Sequence, residues 1–170
     1  MPTGLKQTSS TIAIGFGVTE TGANTFTQQS VDLNLSPLDR EVFVVLAINL
    51  DPATPESVAG VTTSVGGSLT TTSQTAVQQL DNANCLASSA NVIRMNAGGI
   101  EGVPFQSLGM ETPPAILDYI GIIATNDFFV QVQGAGNTAA RSMTGKLYGY
   151  RARASADIYA ALVQSEVLSA

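Results

Sequence analysis

The chain has 170 residues, of which 44% are hydrophobic and only 12% charged, about half the charged share of an average globular protein. Thirteen acidic residues against seven Lys and Arg leave a net charge of −6. That balance is the opposite of a disordered chain's, and it leaves no basic footprint for non-specific nucleic-acid binding.

Ile12, Ile14, Phe16 and Val18 alternate with Thr11, Ala13, Gly15 and Gly17, the period of a half-buried strand. Glu20 to Asn24 reads as a turn. Thr25 to Leu35 follows as a strand, but its apolar phase slips near Gln28-Gln29-Ser30, which predicts a bulge or break there. Ser36-Pro37-Leu38-Asp39 is a second turn. Val42 to Leu50 is apolar on both faces, as in a central strand covered on both sides, and Asp51-Pro52 stops it. Asp51 to Gly67, with two prolines and three glycines, reads as a long loop. Leu69 to Gln79 is Thr-rich, β-prone and polar, which places it near a surface or a subunit boundary. Asp81 to Ile93 reads as a short helix capped by Asp81, or as an irregular segment.

Asn96 to Pro114 is rich in Gly and Pro and reads as loop, with a short strand around Val103 to Leu108. Ile116 to Thr125 and Phe128 to Gln133 read as strands joined by a tight Asn126-Asp127 hairpin. Gly134 to Asn137 is a turn. Thr138 to Ala154 alternates again, with Met143, Gly145, Leu147 and Gly149 opposite Tyr148 and Tyr150. A helix over 155–168 closes the chain, with Ser155 as N-cap and Ile158, Tyr159, Leu162, Val163 and Val167 at i,i+4 spacing.

The expected fold is all-β: a single antiparallel β-sandwich domain of about eight strands over 1–170, with an N-terminal extension over 1–10 and a short C-terminal helix. Jelly-roll topology leads, because long loops suit strands that cross between sheets. An immunoglobulin domain's Cys–Trp–Cys signature is impossible with one Cys and no Trp.

Little in the sequence points to chemistry. The absence of His removes Ser-His-Asp and Cys-His catalysis and most zinc sites. No phosphate-binding or dinucleotide fingerprint occurs. The expectation is a non-enzymatic protein with no cofactor, no metal and no catalytic residues. Asp39, Glu41, Asp51, Glu56, Asp118 and Asp127 flank two strands. Their readings are solvated loops, a calcium site or a carboxylate pair. Arg141, Lys146, Arg151 and Arg153 form the best basic cluster, read as a solvated or intersubunit face or as an anion site. Tyr148 and Tyr150 share a strand face, for packing or for stacking on a sugar. Cys85 reads as a small buried hydrophobe, with an intersubunit disulfide or reactive thiol as the alternative.

No apolar run approaches the ~18 residues of a membrane span. No signal peptide follows Met1, and Lys6 is the only early cation. The neutral polar surface suits broad contact with other subunits, since few charges need desolvating. The expected contacts include residues 68–79 and both termini.

The pattern resembles the single jelly-roll proteins of viral capsids and virions. The features that carry this are the Ser/Thr/Gly/Asn-rich sandwich, the double-sided apolar strand EVFVVLAINLDP, the long Gly/Pro loops and the terminal helix. The resemblance implies a self-assembling capsid or decoration subunit, located in the virion and made in the host cytoplasm. Its partners would be copies of itself and other virion proteins. Plus-strand RNA virus coats of this type carry a basic N-terminal arm, so its absence points to a DNA virus without direct nucleic-acid binding. The alternatives are a surface filament subunit joined by strand donation and a carbohydrate- or calcium-binding module.

Overall fold

The computed structural model describes residues 3–96, 98, 101–112 and 117–168. In chain order the strands are β1 (Leu5–Gln7), β2 (Ile12–Thr19), β3 (Thr27–Asp32), β4 (Glu41–Pro52), β5 (Thr63–Thr70) and β6 (Cys85–Met95). They continue with β7 (Gly102–Ser107), β8 (Gly109–Glu111), β9 (Gly121–Ile123), β10 (Asp127–Ala135) and β11 (Ser142–Ala154), and helix α1 (Ala156–Leu168) follows.

Two antiparallel sheets form. In the first, β11 carries β1 and β2 along one edge and β4 along the other, and β4 carries β9 and β8. The second has the order β3-β10-β5-β6-β7. The pairing is nested: β2 with β11, β3 with β10, β4 with β8 and β9, β5 with β6. A long hairpin rolled over itself pairs this way, and the result is a jelly-roll sandwich.

The main core lies between the sheets. Val18, Phe43, Val45, Ile48, Leu50, Met143 and Leu147 of the first sheet meet Val65, Leu69, Ala87, Phe128, Val130 and Val132 of the second. Phe16 and Phe128 meet edge to face, with ring centroids 5.7 Å apart. Gly145 and Gly149 point inward, and a Cβ at either would strike a Phe16 or Phe43 ring and a β4 carbonyl.

A second core lies on the outer face of the first sheet. Val42, Val44, Tyr150, Ala152 and Ala154 are covered there by Leu5 and by Ile158, Tyr159, Leu162 and Val163 of α1. This explains the double-sided apolar strand. Tyr148 pairs with Ala47 and Gly149 with Val45, which leaves Leu46 as an extra residue on β4. The resulting bulge lets Phe43, Val45, Ile48 and Leu50 all face the main core. Beyond the helix the outer face is open, and Asn49 and Asp51 are exposed.

Several sequence expectations are corrected. β3 pairs with β10 in unbroken register, so no bulge interrupts Gln28-Gln29-Ser30. The loop after β4 ends at Thr62, because Thr63 to Thr70 is a central strand despite Gly66 and Gly67. Gly67 lies under Met143, where a Cβ would clash. Cys85 to Met95 is a strand, not a helix, and its inward Ala87 is buried. Asn126-Asp127 is not a hairpin: β9 pairs with β4 and β10 with β3, so the chain crosses between sheets there. Among the described residues of the expected Ile116–Thr125 strand, only Gly121–Ile123 is extended in a sheet. Val167 is exposed and lies off the helix's packed face. Gly99, Pro113, Pro114 and Ile116, and the terminal residues Met1, Pro2, Ser169 and Ala170, lie outside the described residues.

The Thr-rich segment is also placed differently. Ser68, Thr70, Thr71 and Thr72 are buried. The outer face of the second sheet carries Gln131, whose Nε2 donates to Thr70 Oγ1 (2.7 Å) and Gln28 Oε1 (3.0 Å) and whose Oε1 accepts from Ser68 Oγ (2.8 Å). The amides of Gln74 and Gln78 donate to Gln28 Oε1 and Ser68 Oγ. The loop over 71–84 thus folds back onto the sheet through neutral hydrogen bonds, which satisfies the buried polar groups.

Val44 is fully buried within the second core. Val44→Asp is expected to abolish folding, since an unpaired buried charge costs several kcal/mol against a total stability of about 5–15 kcal/mol. Soluble yield and far-UV circular dichroism check this. A soluble, folded variant would show that the strand is not enclosed.

Candidate functional site

The registers place the loops after β2, β4, β6 and β10 at one end of the sandwich, and those before β4 and between β9 and β10 at the other. The first end is knitted by polar side chains. Glu20 is buried and accepts from the amides of Gly134 and Arg141, both at 2.7 Å. Asn137 exchanges hydrogen bonds with Asn24 across the two loops. Glu56 accepts from the Thr138 amide (2.6 Å) and hydroxyl and pairs with Arg141. The Thr138 hydrogen bonds, helped by Arg141, hold the Glu56 carboxyl below its ordinary range.

The basic cluster does not come together. Arg141 sits at this knitted end, while Arg151 and Arg153 lie at the opposite end of β11. There Arg151 donates to the Leu33 and Asn34 carbonyls and faces Glu41 at 3.6 Å, and Arg153 pairs with Asp39 at 2.9 Å. All three arginines of the cluster are therefore committed to carboxylates of their own chain. Lys146 stands between the ends on the open outer face of the first sheet. With Asn49, Asp51, Thr144 and Tyr148 it lines a shallow cleft of about 360 Å³.

The carboxylates are likewise separated. Asp39 and Glu41 lie at one end of β4 and Asp51 and Glu56 at the other, a strand of twelve residues apart. Among the described residues no three His, Cys, Asp or Glu side chains gather as a metal would need. Tyr148 and Tyr150 share a face as the alternation implied, but Tyr150 is buried under the helix layer. Burial pushes its phenol up, with Asp118 and Tyr119 adding to the effect, and only Tyr148 is accessible to a ligand. Cys85 is buried, and desolvation raises its thiol. That is the environment of an unreactive cysteine.

Two features were not legible in the sequence. The first is Glu166, buried on α1, whose carboxylate accepts from the amides of Ala124 (2.8 Å) and Thr125 (3.0 Å) and so clasps the helix to the β9–β10 crossover. Burial nonetheless raises its carboxyl above the ordinary 4.5, against the pull of those amides. The second is apolar exposure at the edge of the second sheet. Every residue of β7 is exposed, Val103 and Phe105 among them, and Leu108 follows. The Arg94 guanidinium lies over the Phe105 ring at 5.5 Å. Beside this edge, Thr54 and Pro55 face Asn91, Ile93, Pro104 and Phe105 across a cleft of about 370 Å³. An apolar residue inside a short Gly/Pro stretch is the one sequence signal that could have marked this edge.

No protein family matches the chain, and no curated protein does. Among solved structures it is similar to one from Desmodium yellow mottle tymovirus, 14% identical, covering 92% of this chain and 95% of that chain, with a TM-score of 0.26. It is also similar to one from turnip yellow mosaic virus, 13% identical, covering 84% of this chain and 94% of that chain, again at 0.26. The jelly roll rests on the strand pairing of the chain itself.

Glu166 and Glu56 give opposite pH signatures. The contribution of Glu166, raised in the fold, is fully present below 4.5 and is lost as pH rises through its folded value. That of Glu56, depressed in the fold, is present at neutral pH and is lost as pH falls through its folded value. Relative to Glu166→Gln, which cannot ionise, the natural protein should therefore lose stability as pH rises from about 4.5. Denaturant midpoints across the pH range check this, and parallel profiles for the two proteins would contradict it.

Proposed function

We propose that this chain is a structural subunit of a virion, a capsid or capsid-decoration protein of a DNA virus that assembles with copies of itself and with other virion proteins. The observation that carries the reading is the combination of a jelly-roll sandwich with a surface poor in charge and studded with large exposed apolar side chains. Leu38, Leu80, Phe105, Leu108, Leu117 and Leu168 are all more than half exposed. Single exposed apolar residues are ordinary, but interfaces combine apolar anchors with few charges to desolvate. Jelly rolls are used for shells and for lectins alike, so fold alone does not decide between them.

The DNA-virus version is supported by charge. Only seven cationic side chains exist, and three of them are paired with carboxylates of the same chain. Few remain to neutralise a packaged single strand. Strand donation to a filament is less favoured at β7, because Pro104 has no N–H to offer an added strand. A glycan-binding module is the second reading, and the outer cleft with Tyr148, Asn49, Asp51 and Lys146 supports it.

Sedimentation velocity over a wide concentration range tests the proposal. Concentration-dependent assembly that persists at ~1 M salt, where the Debye length falls to about 3 Å, is expected of an interface with few ion pairs. A monomer at every concentration that binds oligosaccharide, and loses that binding in Tyr148→Ala, would replace it with the second reading.

A further inference from the structure

One margin of the first sheet is the open edge of β2. Among the described residues β2 pairs with β11 alone, from Ile12 opposite Gly149 to Thr19 opposite Ser142, in unbroken register. The Glu20 amide continues the ladder by donating to Arg141 O at 2.9 Å. In an antiparallel pair, successive residues turn their N–H and C=O groups to opposite sides of the strand. Val18, Phe16, Ile14 and Ile12 therefore bond to β11, while Ala13, Gly15, Gly17 and Thr19 turn theirs to the open edge. All four of these are exposed.

Such an edge is a template for another strand, and proteins ordinarily blunt it with a charge, a proline, a bulge or a very short strand. The other described edges are blunted in these ways. β7 carries Pro104, β3 carries Asp32, β1 is three residues long with Lys6 in it, and β8 and β9 are three residues each. β2 has eight residues without a charge, a proline or a bulge. Glycine weakens a strand and marks a place where a ligand or another backbone comes close. No internal packing explains Gly15, since a Cβ there would meet nothing within 4 Å, and at Gly17 it would make only ordinary contacts at 3.6 Å. The inward side chains are incompletely covered as well. Ile14 and Phe16 pack on the core but stay half exposed, whereas Met143 and Leu147 beside them on β11 are fully buried.

The edge is complementary to itself. Across a two-fold axis at Phe16, β2 of a second copy runs antiparallel, with Ala13 opposite Thr19 and Gly15 opposite Gly17. All four outward residues of each copy then form hydrogen-bonded pairs, about eight bonds in all at two per pair. On the inner face Phe16 meets Phe16 of the second copy and Ile14 meets Val18, apolar cross-strand pairs that cover the half-exposed flanks. No ionisable side chain lies between Thr11 and Thr19, so two chains of net charge −6 bring no like charges together along this strand. We infer that β2 of one copy pairs with β2 of a second, joining the two first sheets into one continuous sheet across a dimer. The contact is isologous and closes on itself, so other faces carry any larger assembly.

The inference rests on the assembly reading above and names one of its contacts. Amide hydrogen exchange and sedimentation velocity of the full chain test it together. The amides of Ile14, Phe16 and Val18 should be protected at every concentration, whereas those of Ala13, Gly15, Gly17 and Thr19 should gain protection as the protein associates. Gly15→Pro removes an N–H that faces the open edge, a change an edge strand tolerates, and Gly15→Lys adds the charge that guards other edges. Both should weaken association at least ~10-fold with an unchanged far-UV spectrum, while Gly15→Ser associates normally. Mixing Gly15→Lys with Gly15→Glu should restore association, because the two-fold sets position 15 of each copy diagonally across from the other. If the natural protein associates while the four edge amides stay unprotected, this contact is overturned and the assembly reading stands. The same holds if Gly15→Pro and Gly15→Lys associate as well as the natural protein, or if the Lys–Glu mixture does not associate. If the natural protein never associates, both fall together.

Discussion

Burial of β4 from both sides is the constraint on which the rest of the molecule depends. Val42 to Val45 are four consecutive residues with almost no exposure. Such a run cannot sit at the surface of a two-layer sandwich, where alternate residues face water. It requires a third layer, and α1 with β1 supplies it. Each side chain enclosed contributes about 1.5–3 kcal/mol, so the four together rival the net stability of a domain. The same demand explains the N-terminus. Leu5 pairs with Ala154 and packs in the second core, the Ser155 amide donates to Gly4 O, and a Cβ at Gly4 would collide with Ile158. The order of residues 3–7 and of α1 therefore has a cause inside the chain and needs no neighbour.

Local patterning was legible where one face of a strand decides its fate. β2, β4, β10 and β11 lie where alternation or a double-sided apolar run placed them, and the helix begins beside Ser155 as its sequence implies. What escaped were features set by distant residues. Asn126-Asp127 has the composition of a hairpin turn, but Ile123 pairs with Phe43 while Phe128 pairs with Val31, a choice made by strands far earlier in the chain. Cys85 to Met95 lacks strong β-formers at its start, and its small inward residues suit a strand only because Leu69 and Val65 fill the space opposite. The Thr-rich segment looked like surface because its partners, Gln28 and Gln131, are far off in sequence. Buried neutral polar networks give no hydrophobic signal at all. The arginine cluster dissolved for a related reason: its carboxylate partners lie in the turn before β4, at the start of β4 and in the loop after it.

Scarcity of charge links the interior to the surface. Neutral amides and hydroxyls fasten the 71–84 loop, and a few buried or half-buried carboxylates fasten loop ends and the helix. These bonds stabilise without leaving free charges on the exterior. A surface with few free charges loses little hydration when it is covered. Large exposed apolar residues stand at the Leu38 turn and along the β7 edge.

Electron microscopy of the purified full chain, imaged at the highest concentration it reaches, tests the central claim most directly. The account predicts regular assemblies, closed shells or arrays, in which sandwich-sized units repeat through one shared contact. A field of discrete particles no larger than a single chain, unchanged by concentration, would contradict it.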